Sequence, residues 1–132
     1  MTTRLERWQE IAPLLNDLLC FFMLFGHFKE VTPPEAIKRK RQLDRAAYAN
    51  QHIFGESFLK AYNDFMSLGF KTYVRVGQDA LIRARVASQK FERGSTWQDS
   101  WMELFVDEQQ VVPSRDDLAA AYNALLKTYD EL

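Results

Sequence analysis

Apolar side chains recur at spacings of three and four residues along most of the chain, which is the period of an amphipathic α-helix. The strongest such stripe runs from Phe58 to Phe91 and predicts one long helix over residues 56–92. At 1.5 Å per residue this helix would be about 55 Å long, whereas a domain of this size has a radius of gyration of about 14 Å. We therefore expect the helix either to break at Gly69 or Gly77 or to extend beyond the body of the protein.

Helix-start signals divide the rest of the chain into four shorter helices. Thr32 precedes two prolines and stands three residues before Glu35, which is the pattern of a capping box. Ser114 stands in the same relation to Asp117 and marks the start of the last helix. No stretch shows sustained two-residue alternation, so no sheet is predicted. The other predicted helices cover residues 3–28, 32–51 and 97–106.

These elements predict an all-α fold, a mainly antiparallel bundle of about five helices with one long central helix. The whole chain, residues 1–132, is expected to form a single domain, because 132 residues is a usual domain length. Hydrophobic residues make up 47% of the chain, which is enough to bury a core without disulfides or metals. Cys20 is the single cysteine, so we expect a reducing, cytoplasmic location.

The first segment is apolar on more than one side. Leu18 to Phe25 is an uninterrupted apolar run of eight residues, whereas a membrane-spanning helix needs about 20. A helix that is apolar all round is usually buried on several sides. This helix is therefore predicted to lie in the core, in a subunit interface or against a membrane surface. The candidate interface residues are Phe21, Phe22, Phe25 and Phe28, together with Trp97 and Trp101 one helical turn apart.

Charge is unevenly distributed, although the net charge is only −1. Residues 29–93 carry thirteen basic and seven acidic side chains (+6), and residues 94–132 carry two and eight (−6). Opposite charges of this kind attract one another within a molecule or between neighbours. Nucleic acid is not expected as a partner, because the acidic part would compete with it. A candidate contact for phosphate or anionic lipid is the basic run Lys38, Arg39, Lys40 and Arg41, with a solvated helix face as the alternative.

No residue cluster has the composition and spacing of a catalytic, cofactor or metal site, so no such site is predicted. The leading hypothesis is a non-enzymatic helical protein–protein interaction or regulatory module that self-associates. The second hypothesis is a peripheral membrane protein that is held at the cytoplasmic face by its first helix and residues 38–41. The third is a small helical enzyme or ligand carrier whose cavity is lined by Tyr62, Tyr73, Trp97 and Trp101.

Overall fold

The computed structural model describes residues 4–72, 80–107 and 112–131. Within these ranges the fold is mainly helical, which confirms the predicted all-α bundle. The α-helices are α1 (Arg4–Met23), α2 (Pro33–Ala49), α3 (Gln51–Gly69), α4 (Val86–Arg93) and α5 (Arg115–Asp130). Two strands, β1 (Phe70–Lys71) and β2 (Leu81–Ile82), and 3₁₀ turns at Phe28–Glu30, Gly94–Thr96 and Asp99–Leu104 connect them.

One apolar core lies between α1, α2, α3 and α5. Helix α3 packs against α5 and α2, while α1 packs against α2 and α5. The aromatic ring of Tyr129 stacks on the indole of Trp8 with 4.3 Å between the ring centroids, which joins the two ends of the chain. The core side chains follow the predicted spacing: Ile11, Leu15, Leu18, Phe21, Phe54, Phe58, Tyr62, Phe65, Leu118 and Leu125.

The predicted caps are confirmed. The hydroxyl of Thr32 accepts a hydrogen bond from the backbone N–H of Glu35 at 3.4 Å, and the hydroxyl of Ser114 accepts one from that of Asp117 at 3.0 Å. Each bond satisfies an N–H group that has no partner within its helix. Helix α1 ends at Met23, before the predicted boundary at residue 28, because Leu24 takes a positive φ of 58° that cannot continue a helix.

The long helix predicted over residues 56–92 is not one element. Helix α3 ends at Gly69, and Phe70 then pairs with Ile82 in an antiparallel ladder. The alternative of a break at Gly69 is confirmed, whereas Gly77 lies outside the described residues. The prediction of no sheet is wrong. These strands were not detected in the sequence because two residues are too few to show an alternating pattern.

The helix predicted over residues 97–106 is also different in the structure. Residues 99–104 form a 3₁₀ turn, and Phe105 then bridges Ile82 in parallel. The backbone N–H of Val106 donates to the carbonyl of Ile82 at 2.9 Å. Residues 105–106 therefore pair with β2 next to β1, and this pairing attaches the 3₁₀ segment to the bundle.

Gly69 ends α3 where that helix lies closest to α1. A Cβ atom added to Gly69 would lie 2.6 Å from Cζ of Phe22, and the Phe22 ring already packs edge-on against Phe70 with 5.4 Å between the ring centroids. The ring of Phe22 therefore has little room to retreat. Close approach between the two elements thus requires a residue without a side chain at this position.

Replacing Gly69 by alanine is expected to lower the free energy of unfolding by about 1–2 kcal/mol. Overpacking costs about 1–3 kcal/mol, and the higher helix propensity of alanine offsets up to about 1 kcal/mol of it. Urea denaturation measures the change. The matched control is Ser67→Ala in the same helix, where the side chain is exposed and a change within about 0.5 kcal/mol is expected. A Gly69→Ala protein as stable as the control would contradict the close contact.

Candidate interaction groove

Helix α4 is attached to the bundle by polar side chains and turns an aromatic side chain outward. Gln89 and Arg93 are only 1% and 3% exposed, whereas Phe91 is 82% exposed. The periodic stripe predicted that Ala87 and Phe91 would face the core, and both are exposed. That prediction is wrong because Gln89 and Arg93, one helical turn apart, occupy the inner face instead.

Hydrogen bonds to backbone carbonyls explain why a buried arginine is stable on the inner face. Nη2 of Arg93 donates to the carbonyls of Val31 at 2.8 Å and Phe28 at 3.2 Å. Its Nε donates to Oε1 of Gln89 at 2.9 Å, and Nε2 of Gln89 donates to the carbonyl of Phe21 at 3.1 Å. These bonds join α4 to the end of α1 and to the 3₁₀ turn at residues 28–30.

Most of the predicted interface aromatics surround this arginine or lie in the core. The guanidinium carbon of Arg93 lies 5.4 Å from the ring centroid of Phe21 and 5.5 Å from that of Phe28. The ring of Trp101 lies 5.9 Å away on another side. Cations attract the faces of aromatic rings at such distances. Phe21, Phe28 and Trp101 therefore hold α4 in place and offer little surface to a partner.

The remaining three predicted interface residues differ in exposure. Phe22 is buried against Phe70 and the Gly69 backbone. Trp97 is partly buried, with its ring 5.4 Å from that of Trp101 at right angles. Phe25 is 44% exposed. Phe91, which was not in the predicted set, is more exposed than any of its six members, and an interface formed by that set stays a prediction.

A groove of about 660 Å³ lies between the end of α1, helix α4 and the start of α5. Phe91 and Leu24, the residue with the positive φ, both line it. A non-glycine residue in that conformation costs about 1–2 kcal/mol. The groove is therefore bordered by the strained end of α1 at Leu24 and by the exposed ring of Phe91. Its other apolar lining residues are Phe22, Met23, Ala84, Ala87, Val112, Pro113 and Leu118.

Three arginines, Arg83, Arg85 and Arg115, also line the groove. None of them forms an ion pair with a carboxylate in the described part of the chain. Nε of Arg83 is buried and has no hydrogen-bond partner there, a situation that costs about 1–3 kcal/mol for a buried polar group.

Acidic residues occur in α4 and in the first turn of α5. Glu92 lines the groove as well, and Asp116 and Asp117 are exposed in the first turn of α5 beside Arg115. Among the described residues none of the three takes part in an ion pair. The groove is therefore lined by three arginines and one glutamate that form no ion pair within the described ranges.

A separate polar cluster ties α1 to α2. Oδ1 of Asp17 lies 2.6 Å from Nε2 of His27, and its Oδ2 accepts from Nε of Arg39 at 2.8 Å. Nη1 of Arg39 also donates to Oε2 of Glu35 at 2.8 Å. Burial by itself raises the pKa of Asp17, but the bonds from Arg39 and His27 outweigh it, so the pKa of Asp17 lies below its ordinary value.

This lowered pKa predicts a pH-dependent contribution to stability. A carboxyl whose pKa is lower in the folded state stabilises the fold above its unfolded pKa of about 3.9, and the effect is lost as the pH falls through the folded value. We expect Asp17→Asn to be less stable than the wild type at pH 6, with the difference shrinking below pH 4. Urea denaturation over a pH series measures it. In the control Asp64→Asn, at an exposed pair, a small and constant difference is expected; a constant difference for Asp17→Asn would contradict the prediction.

The predicted basic run does not form one free cationic patch. Lys38 is exposed, but Arg39 binds Asp17 and Glu35 as described above, and Nζ of Lys40 donates to Oδ2 of Asp44 at 2.5 Å. Arg41 also has an interaction partner. None of the helices in the described ranges combines the length and apolarity that crossing a bilayer requires. Contact between this run and anionic lipid therefore stays a prediction.

Residues predicted to line a ligand cavity lie in different contacts. The hydroxyl of Tyr62 donates to Oδ1 of Asp44 at 2.6 Å, and burial together with that carboxylate raises the pKa of Tyr62. Trp97 and Trp101 pack on each other, and Tyr73 lies outside the described residues. A second cavity of about 440 Å³ is lined by Lys40, Asp44 and other polar residues, but neither this cavity nor the groove is lined by Tyr62, Trp97 or Trp101.

The thiol of Cys20 is a core group. Cys20 is 5% exposed, and burial raises its pKa. A raised pKa keeps the sulfur protonated, whereas a nucleophilic cysteine needs the thiolate. The structure thus places Cys20 in the packing at the end of α1.

Comparison of the chain with protein-family models, with curated proteins and with solved structures finds no match. The groove arginines and Phe91 were not predicted as one site, because they come from three separate segments of the sequence. Gln89 and Arg93 lie among the other polar residues Ser88, Lys90 and Glu92, so the sequence pattern did not mark them as buried. A buried role for that pair reverses the orientation of α4 and exposes Phe91.

Proposed function

We propose that this protein is a non-enzymatic helical interaction module that self-associates. The proposal depends on one observation: Phe91 is 82% exposed at the edge of a groove with apolar walls. Exposed aromatic rings beside apolar depressions are characteristic of protein contact surfaces. Helix α4 supports such a role, because Arg93 and Gln89 hold it rigidly from the inner side and leave its outer side available.

The reasons for self-association differ from those the sequence offered. Most of the apolar side chains of the first helix are buried in the core. Helix α3 ends at Gly69 and therefore does not extend beyond the bundle. Charged side chains that line one groove favour association instead, since they form no ion pair among the described residues: Arg83, Arg85, Arg115 and Glu92. Complementary charges of this kind raise the rate of encounter and fix the orientation of a complex.

Sedimentation velocity of the purified chain tests the proposal. Between low micromolar and submillimolar concentration, the weight-average sedimentation coefficient is expected to rise from the monomer value towards that of a dimer. Adding salt should weaken the association, because exposed charges are screened beyond about 8 Å at physiological ionic strength. A protein that stays strictly monomeric at the highest concentration in low salt would refute self-association.

A further inference from the structure

We propose that the groove binds an acidic segment of another protein, and that this segment also carries apolar side chains. The inference goes beyond the proposed function, because the partner is a different chain and its binding does not require a second copy. The groove has a volume of about 660 Å³. Sites of about 300–1,000 Å³ hold whole drug-sized ligands, so this groove has room for several side chains of a partner.

The charge of the groove lining favours an acidic occupant. Three arginines line the groove against one glutamate, Glu92, which leaves an excess of two positive charges. Asp116 and Asp117 follow Arg115 in the sequence but do not line the groove. The chain as a whole has a net charge of −1, so this positive excess is local. Complementary charge on a partner speeds encounter and fixes the orientation of the complex.

Two of the three arginines are exposed and lie at the starts of helices. Arg85 is the N-cap residue of α4 and Arg115 is the first residue of α5, and both side chains are exposed. The N-terminal end of a helix carries a partial positive charge, which favours anions and disfavours cations there. A carboxylate that enters the groove is therefore attracted by guanidinium groups and by the helix ends together.

The apolar side chains of the groove require more of the occupant than negative charge. Phe91 is 82% exposed, and Ala87, one helical turn before it, is also exposed. Leu24 and Pro113 are partly exposed on the other walls. A phosphate chain would pair with the arginines but would leave these side chains in water, whereas burial of a phenylalanine contributes about 1.5–3 kcal/mol. Carboxylates and apolar side chains on one segment match both parts of the groove.

The first experiment measures the binding of three short synthetic peptides by fluorescence anisotropy. One is an amphipathic peptide of glutamates and leucines, the second has lysine in place of every glutamate, and the third has serine in place of every leucine. The protein is kept at a concentration at which it is monomeric. The first peptide is expected to bind about tenfold more tightly than either of the others, since the loss of one buried ring contact alone corresponds to this factor.

The second experiment reverses the charge of the groove. Arg85→Glu with Arg115→Glu is expected to weaken binding of the acidic peptide by about tenfold or more, which corresponds to about 1.4 kcal/mol. Glutamate is favourable near the start of a helix, so the thermal midpoint by circular dichroism should not fall. The control Lys38→Glu with Arg45→Glu makes the same change in net charge at exposed residues of α2 that do not line the groove. Affinity close to that of the wild type is expected for it.

A third variant tests the apolar part of the contact. Phe91→Ala is expected to weaken binding of the acidic peptide by about tenfold, with no change in the thermal midpoint, because the ring is exposed in the free protein. The control is Met102→Ala, at a side chain 52% exposed that does not line the groove, and it should bind the peptide as the wild type does.

The outcomes separate this inference from self-association. A wild type that stays monomeric and binds the acidic peptide would refute the proposed function and support the inference. Equal binding of the glutamate and lysine peptides, or an equal loss in the α2 control, would overturn the inference and leave self-association to sedimentation.

Two other results would assign the groove to a different occupant and so overturn the acidic segment. One is displacement of the peptide by inorganic polyphosphate together with unchanged binding by Phe91→Ala, which would indicate phosphate chains. The other is no binding of the acidic peptide together with loss of self-association in Arg85→Glu with Arg115→Glu, which would indicate a second copy.

Discussion

Replacing Phe21 by alanine is expected to lower the free energy of unfolding by about 4 kcal/mol. Its ring is fully buried and packs edge-on against Phe22 with 5.2 Å between the ring centroids. The same ring lies 5.4 Å from the guanidinium carbon of Arg93. Alanine would leave a cavity in the core and remove one of the aromatic faces that stabilise the buried cation, so the packing loss and the cation–π loss add.

Urea denaturation of Phe21→Ala and Phe25→Ala provides a direct comparison. Phe25 is four residues further along the chain, beyond the end of α1, and is 44% exposed, so its replacement is expected to cost less than about 1 kcal/mol. The sequence pattern placed both residues in one candidate interface. If Phe21 were an interface residue, its replacement would change assembly and leave monomer stability nearly intact, which would contradict the core position described here.

Three-to-four-residue spacing predicted those helices whose packing depends mainly on apolar burial. In α3 the core residues Phe54, Phe58, Tyr62 and Phe65 follow this spacing and are all buried. The capping residues Thr32 and Ser114 added two correct helix starts, because a cap is a local interaction between residues three apart. For these elements, local chemistry and tertiary packing favour the same structure.

The single helix over residues 56–92 was predicted wrongly because the spacing of apolar residues does not show where one helix ends and the next begins. Ala87 and Phe91 continue the stripe begun at Phe58, yet they belong to a different helix with the opposite orientation towards the core. A Cβ atom at Gly69 would lie 2.6 Å from Cζ of Phe22, which explains why this position has no side chain. That distance is tertiary, and no pattern around Gly69 contains it.

The groove could not be predicted for a related reason. Arg83 and Arg85 precede α4 and Arg115 begins α5, so only the folded chain brings them to one depression. The basic run at residues 38–41 looked more like a charged site, because its cations are adjacent in sequence. In the structure two of those cations are paired, whereas the scattered arginines are not. Charge density along a sequence therefore does not show which cations are paired in the folded chain, and the contact of residues 38–41 with anionic lipid stays a prediction.

Replacing Arg93 by methionine is expected to lower the free energy of unfolding by about 2–4 kcal/mol. Methionine keeps much of the length and apolar contact but donates no hydrogen bond, so the carbonyls of Phe28 and Val31 lose the donors described above. Each unsatisfied buried group costs about 1–3 kcal/mol. Removing a desolvated cation returns part of this loss, since burial already lowers the pKa of Arg93 and buried ions carry a desolvation penalty.

The control Lys90→Met lies in the same helix at a side chain 61% exposed, and a change within about 0.5 kcal/mol is expected in urea denaturation. The loss of stability for Arg93→Lys should lie between those of the other two variants, because the lysine ammonium still donates hydrogen bonds but lacks the planar geometry of the guanidinium. Since Arg93 fixes the inner face of α4, Arg93→Met should also weaken self-association more than Lys90→Met does. A gain in stability for Arg93→Met would show that desolvation of the cation outweighs its bonds to the two carbonyls, and α4 would then need another anchor to hold Phe91 outward.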